Sequence, residues 1–188
     1  VIHTAGQVAV TASLDDPRAD FEINAEGTFN VLEAARKADS DPAVIFASTN
    51  KVYGDNVNEI PVVEKDTRYW YDSDGYMIGI PETLSIDHCE RTPYGVSKTA
   101  GDLYAQDYAE RGVVDTAVFR MSCIYGPRQF GNEDQGWVAH FTISALRDDT
   151  ITIFGDGKQV RDVLYVDDLI QAYDAFLQNP SERAGVYN

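Results

Sequence analysis

Two short apolar runs, Ala43-Val44-Ile45-Phe46-Ala47 and Thr116-Ala117-Val118-Phe119-Arg120, constrain this chain more than anything else in it. Their residues do not alternate between apolar and polar, as in a strand with one wet face, so each reads as a strand buried on both faces. A sheet covered on both faces is a parallel sheet with helices above and below. The helices are legible around the runs. Asp16-Pro17 opens one that extends to about Ala38, with Phe21, Ile23, Val31, Leu32 and Ala35 at helical spacing. Thr92 and Pro93 suit the cap and first turn of another, carried by Leu103, Tyr104 and Tyr108 to about Arg111, before Gly112. Gly136 to Leu146 reads as an apolar helix, and Val166 to Leu177 as a helix with Asp167 and Asp168 in its first turn, where acids suit the dipole. Val1-Ile2-His3-Thr4 reads as a strand. Ile151–Phe154 and Gln159–Leu164 read as short strands around the turn Gly155-Asp156-Gly157-Lys158. The fold class is α/β with a doubly wound parallel sheet.

In open sheets of this kind, ligands bind outside the carboxyl ends of the strands. The first run ends there in Ser48-Thr49. In the stretch Thr92-Pro93-Tyr94-Gly95-Val96-Ser97-Lys98, Tyr94 and Lys98 stand at i and i+4, one turn apart on one helix face. A cation there is expected to favour phenolate and bring the tyrosine toward the working range of a general base. Taken alone the pair is a weak signal, since the chain holds 11 tyrosines and a tyrosine beside a solvated lysine is the ordinary alternative. A strand-end hydroxyl with a helix-borne Tyr/Lys pair is a complete set for removing a hydroxyl proton as hydride leaves the same carbon.

Composition narrows the field by exclusion. The 188 residues, 44% hydrophobic and 24% charged, suit one ordinary globular domain. No apolar run approaches the length of a membrane span and no signal-peptide pattern is present, which reads as cytoplasmic. Cys89 and Cys123 form no disulfide framework, and His3, His88 and His140 show no metal-ligand spacing, so no metal is expected. Nothing resembles Gly-x-Ser-x-Gly, which disfavours a serine hydrolase. The net charge of −16 opposes nucleic-acid binding, which needs clustered lysine and arginine. Such a surface suits concentrated salt, where screening keeps it soluble, and a merely acidic protein is the alternative.

These motifs resemble the extended short-chain dehydrogenase/reductases, the NAD-dependent epimerase/dehydratase family of nucleotide-sugar enzymes. The matching residues are Thr49, four before the tyrosine of Val52-Tyr53-Gly54, then Tyr94 and Lys98, and the segment Arg120 to Tyr125-Gly126-Pro127. Asn24 with Gly27-Thr28 matches the family's Asn-x-x-Gly-Thr, where the asparagine reads as support for the triad, direct chemistry being the alternative. The resemblance implies a Rossmann-like sheet that binds NAD, with Thr49, Tyr94 and Lys98 catalytic. It implies cofactor contacts from His3, Ala5, Gly6, Tyr94, Lys98, Arg120, Ser122 and Ile124. The family's Gly-x-x-Gly-x-x-Gly fingerprint is not found, so the chain is expected to be an N-terminally truncated piece. Residues 1–125 would belong to the NAD-binding domain, and residues 126–188 would be shared between the sheet and a small substrate lobe.

Asn50-Lys51 stand where the family's dehydratases carry Asp-Glu, so water elimination lacks its acid and base. Gly6-Gln7-Val8-Ala9-Val10-Thr11, Arg128-Gln129-Phe130, Asp134 to Val138 and Gly155 to Val163 resemble the CDP-paratose 2-epimerases. That resemblance implies a nucleotide-sugar substrate, a CDP-sugar by preference, and a homodimer or homotetramer. Another sugar-nucleotide epimerase, such as a 4-epimerase, and a non-catalytic reductase-like module are the other readings. Gln7, Asn50, Arg128, Gln129, Gln135 and Arg161 are the candidate substrate contacts. Arg161 would hold the diphosphate with its planar guanidinium, or else pair with Asp162 or Asp167. Residues 55 to 91 read as a long lid or binding loop. Within it, Arg68-Tyr69-Trp70-Tyr71 either cover a ligand or form an aromatic hairpin packed on itself.

Overall fold

The structure is a computed structural model and describes residues 1–133 and 135–188. Asp134, part of one stretch named above, lies outside the described residues. Four strands form the central sheet in the order β1 (Ile2–His3), β2 (Val44–Thr49), β5 (Thr116–Met121), β8 (Gly185–Tyr187), and every pairing is parallel. The two apolar runs are its middle strands and pair in register from Val44↔Thr116 to Thr49↔Met121. One face packs on α3 (Gly27–Lys37) and α4 (Pro93–Glu110) through Leu32, Ala35, Val44, Phe46, Ala105, Tyr108, Val114 and Val118. The other packs on α6 (Val166–Gln178) through Ile45, Ala117, Phe119, Leu169, Tyr173 and Phe176. Alternate residues of β2 thus serve opposite layers, as its unbroken apolar run requires. Leu32, Val44, Ile45, Phe46 and Val118 are at most 1% exposed, and each such burial contributes about 1.5–3 kcal/mol.

The helix expected from Asp16 to Ala38 is interrupted. α2 (Pro17–Phe21), capped by the Asp16 carboxylate accepting from the Ala19 N–H at 3.0 Å, passes into a wide π turn at Glu22–Glu26 and then into α3. π turns commonly mark functional positions, and this one contains Asn24. A short α1 (Val10–Asp15) precedes it, which the apolar pattern did not reveal. α4 starts as expected, with the Thr92 hydroxyl accepting from the Gly95 N–H and Pro93 in the first turn.

Two expectations about strands are corrected. Ile151–Phe154 is not a strand; Ile153 and Phe154 lie exposed with no partner strand. Of Gln159–Leu164 only the end is extended: β7 (Val163–Tyr165) pairs in parallel with β6 (Cys123–Tyr125) and leads into α6. The apolar helix is α5 (Trp137–Leu146), with Gly136 before it at φ 74°, a left-handed conformation suited to glycine.

The long segment 55–91 is partly ordered as a hairpin, β3 (Val62–Glu64) against β4 (Tyr69–Tyr71). Its aromatic residues pack locally, with the Arg68 guanidinium 4.3 Å from the Trp70 ring centre and Tyr71 against Tyr76. The hairpin clasps the 155–158 turn. The Tyr69 hydroxyl donates to Asp156 at 2.6 Å, the Tyr69 N–H to the Lys158 carbonyl at 2.9 Å, and Lys158 Nζ meets Glu64 at 2.5 Å.

Candidate active site

β1, β2 and β5 deliver their carboxyl ends to one edge of the sheet, and α4 brings its first turns to the same place. Thr49 ends β2, 7% exposed, with its hydroxyl accepting from the Lys51 N–H at 3.3 Å. Tyr94 and Lys98 are 9% and 7% exposed on α4. The three residues expected to do chemistry are therefore all buried, at the carboxyl end of β2 and in the first turns of α4.

Their electrostatics differ from expectation. Lys98 does not turn to the phenol. Its Nζ donates to the Ala47 carbonyl at 2.5 Å and lies 4.3 Å from the Phe46 ring centre. The long side chain reaches past Tyr94 to the strand end, where a main-chain acceptor and a ring face offset its burial. Burial pulls the ammonium down to about 8, opposed by the carboxylates of Asp102 and Asp20. Burial likewise pushes the Tyr94 phenol above its ordinary value; the Thr49 side chain pulls it down and Asp20 pushes it up. The expected lowering of the phenol by Lys98 is thus replaced by a net rise from desolvation.

A nicotinamide nucleoside fits this donor set. An ammonium carries three N–H donors, and among the described residues that of Lys98 donates to one acceptor, Ala47, which leaves donors for a ribose diol. Ala5 and Gly6 lie open beyond β1, and Ser122 lies half-buried beyond β5.

Several of the residues expected to contact a ligand have their side chains engaged within the protein. The His3 imidazole is buried, hydrogen-bonded to Thr28 Oγ1 at 3.0 Å and stacked on Phe46, so only its main chain is free to face a ligand. Burial, then the nearby Lys98, lowers its pKa. The Arg120 guanidinium is buried within the protein. It donates to both Asp102 oxygens at 3.0 and 2.9 Å and to the Tyr53 hydroxyl at 2.9 Å. Ser48 and Gln106 donate to the same carboxylate at 2.6 and 2.5 Å. Gln7 turns inward, its Nε2 donating to Asp20 at 2.9 Å and to the Ala9 carbonyl at 2.8 Å.

The other candidates remain at the surface or edge. Asn50 is exposed and donates to Ser122 Oγ at 3.3 Å. Ile124 packs on the α6 side of the sheet, and its carbonyl accepts from Gln129 Nε2 at 3.0 Å. The Gln129 Oε1 is buried with no donor facing it among the described residues. Gln135 Nε2 reaches the Val8 carbonyl at 3.2 Å. Arg128 is exposed, with φ at 67°. Arg161 is also exposed, donating to the Val160 carbonyl at 3.4 Å; among the described residues it forms no ion pair with Asp162 or Asp167. No group of three or more His, Cys, Asp or Glu residues that could hold a metal is found among the described residues.

The residues that sequence reasoning missed are Asp20, Ser97 and Asp102. All three are buried polar groups beside the pair. Ser97 stood inside the Tyr-x-x-x-Lys stretch itself, and Asp20 lies one turn before Asn24.

The model of the NAD dependent epimerase/dehydratase family matches residues 1–188. The chain is 46% identical to the CDP-paratose 2-epimerase of Salmonella typhi, over 97% of this chain and 54% of that protein. It is 32% identical to the UDP-glucose 4-epimerase of Mycolicibacterium smegmatis, over 92% of this chain and 49% of that protein. Among solved structures, the UDP-glucose 4-epimerase of Thermus thermophilus in complex with NAD matches at a TM-score of 0.73 and 30% identity, over 100% of this chain and 55% of that one. The chain spans about half the length of the curated relatives it matches. The parallel sheet with helices on both faces is the Rossmann-like architecture of those structures.

Proposed function

This chain belongs to the NAD dependent epimerase/dehydratase family, and on that premise we propose that it carries the proton-transfer half of a nucleotide-sugar epimerase site. The observation behind this reading is the burial of Tyr94 and Lys98, one helical turn apart, beside Thr49 at the carboxyl end of β2. Bound NAD would supply a reversible acceptor of hydride, so that a carbinol carbon can become a ketone and be restored with the opposite configuration. Tyr94 would take the proton from the reacting hydroxyl and later return it to the ketone oxygen, acting as base and then acid. Thr49 would donate to that same oxygen and hold it in line. Lys98 would hold the nicotinamide ribose with its spare donors. Asn50 and Lys51 do not offer the carboxylate pair that water elimination needs, which favours epimerisation.

The sugar nucleotide is a CDP-sugar epimerised at C2, by the reading we favour. It is supported by the 46% identity to the Salmonella typhi CDP-paratose 2-epimerase. Epimerisation of a UDP-sugar at C4 is the second reading, supported by the 32% identity to a UDP-glucose 4-epimerase. NMR analysis of products from a panel of CDP- and UDP-sugars separates the two, and absence of any epimer from the panel defeats both. Tyr94→Phe should abolish turnover while NAD binding persists, because the ring still packs and only the ionisable oxygen is lost. Turnover within a few fold of the parent would refute Tyr94 as the acid/base.

A further inference from the structure

Asp20 is 1% exposed, yet its carboxylate meets donors from three separate parts of the chain. Gln7 Nε2 donates to Oδ1 at 2.9 Å, from the loop after β1. Asn24 Nδ2 donates to the same oxygen at 3.3 Å, from the π turn. Ser97 Oγ donates to Oδ2 through a short hydrogen bond, from α4 between Tyr94 and Lys98. Ser97 also bonds the Tyr94 carbonyl at 3.0 Å, and Asn24 exchanges hydrogen bonds with the Gln7 main chain at 2.9 and 3.1 Å. A Cβ at Gly6 would stand 3.0 Å from Asn24 Oδ1, so the loop lies hard against the π turn. A buried charge persists only where it is paired and hydrogen-bonded, and here the bonds that converge on Asp20 come from the loop after β1, the π turn and α4.

We propose that Asp20 is a positioning residue for the proton chemistry of Tyr94 and Lys98, fastening the loop after β1 and the first turns of α4 to one charged anchor. The proposal rests on the reading of Tyr94 and Lys98 given above. The carboxylate acts in two ways. It fixes the helix turn that carries both side chains, through Ser97. It also places a negative charge close to them, which favours the Lys98 ammonium and disfavours the Tyr94 phenolate. The other ionisable groups facing the pair are His3 from β1 and Asp102 from α4 itself. Asp102, paired with the Arg120 guanidinium at 2.9 Å, raises the Lys98 pKa more than Asp20 does, whereas Asp20, held by neutral donors, bears on both Lys98 and Tyr94.

The test is Asp20→Asn in the purified enzyme, read in two ways. In the first, the Lys98 side chain is titrated by NMR with 13Cε-labelled lysine, a measurement that needs no turnover. The Lys98 midpoint should fall by at least about half a pH unit, and an unmoved midpoint overturns the electrostatic role. In the second, kcat is followed against pH with the sugar nucleotide that the parent turns over. It should fall at least about tenfold, with the acid limb displaced to lower pH. A parent-like kcat overturns the proposal. A loss of kcat with both the limb and the Lys98 midpoint unmoved also overturns it, because a purely structural role predicts that result. A parent enzyme that epimerises nothing defeats the functional reading, and the lysine titration still decides on Asp20. If Asp20→Asn does not fold, Ser97→Ala carries the test, since it keeps the charge and cuts the link to α4. Its kcat should fall at least about fivefold with the Lys98 midpoint unchanged, and a parent-like kcat overturns the anchoring role.

Discussion

Replacing Arg120 by methionine should cost stability far more than any surface substitution in this protein. The arginine and Asp102 side chains are 3% and 0% exposed and meet at 2.9 Å. An exposed ion pair is worth about 1 kcal/mol at most, because water and salt screen it. Here the pair is buried, so removing the cation leaves a buried carboxylate with Ser48 and Gln106 as its donors among the described residues. Breaking a buried pair from one side costs about 3–5 kcal/mol, a large share of the roughly 5–15 kcal/mol that keeps a domain folded. At about 2–4 °C per kcal/mol for a chain of this size, the melting temperature should fall by roughly 6–20 °C. Arg120→Met also strips the Tyr53 hydroxyl and the Glu82 carbonyl of a donor, bonds of 2.9 and 3.2 Å, which places the loss toward the upper half. The control is the double variant Asp102→Leu/Arg120→Met. Removing both charges should make it more stable than Arg120→Met by at least about 1 kcal/mol. Urea and thermal denaturation followed by circular dichroism measure the parent, Arg120→Met, Asp102→Leu and the double variant. A single variant that melts within about 2 °C of the parent, or a double variant that loses the sum of the two singles, would refute the argument.

Two further outcomes follow from charges described above. Lys98 titrates near 8 when folded, against an ordinary 10.5, so its burial penalty stands in full below pH 8. Between about pH 8 and 10.5 the unfolded chain holds a proton that the folded chain has shed, and stability should rise with pH by up to about 3 kcal/mol. Urea midpoints at pH 7 and 9.5 should show that rise in the parent and not in Lys98→Met; equal slopes would exclude it. The net charge of −16 should make the protein melt lower at about 0.01 M salt, with a screening length near 30 Å, than at 1 M, where it is near 3 Å. Equal melting temperatures across that range would remove self-repulsion as a factor.

The central sheet was legible because β2 and β5 are apolar on both faces, a pattern that only a doubly covered strand needs. α4 was legible because Thr92-Pro93 marks its start locally. Strands that depend on a distant partner were not. β7 is extended because β6 lies alongside it, while Ile153 and Phe154, no less apolar, have no neighbour to pair with. The same division runs through the site. Thr49, Tyr94 and Lys98 sit in spaced motifs, which is what singled them out. Asp20 looks like an ordinary helical acid, and its burial is decided by Ser97, 77 residues away. The place of Arg120 in a motif gave no sign that its side chain pairs with Asp102, on a helix whose charge pattern gave no hint of a buried carboxylate.

The π turn at Glu22–Glu26 gives that helix one residue more than its length requires. Shortening the segment would restore regular hydrogen bonding, so by local criteria the helix should welcome the loss. It cannot, because the wide turn is what sets Asn24 against the loop after β1, where its amide exchanges hydrogen bonds with the Gln7 main chain and donates to Asp20. The stretch is therefore locked in length while remaining imperfect in form. Deleting Ala25 should abolish folding, whereas deleting Ser40 from the exposed connection after α3 should be tolerated, and the soluble yields of the two proteins would show it.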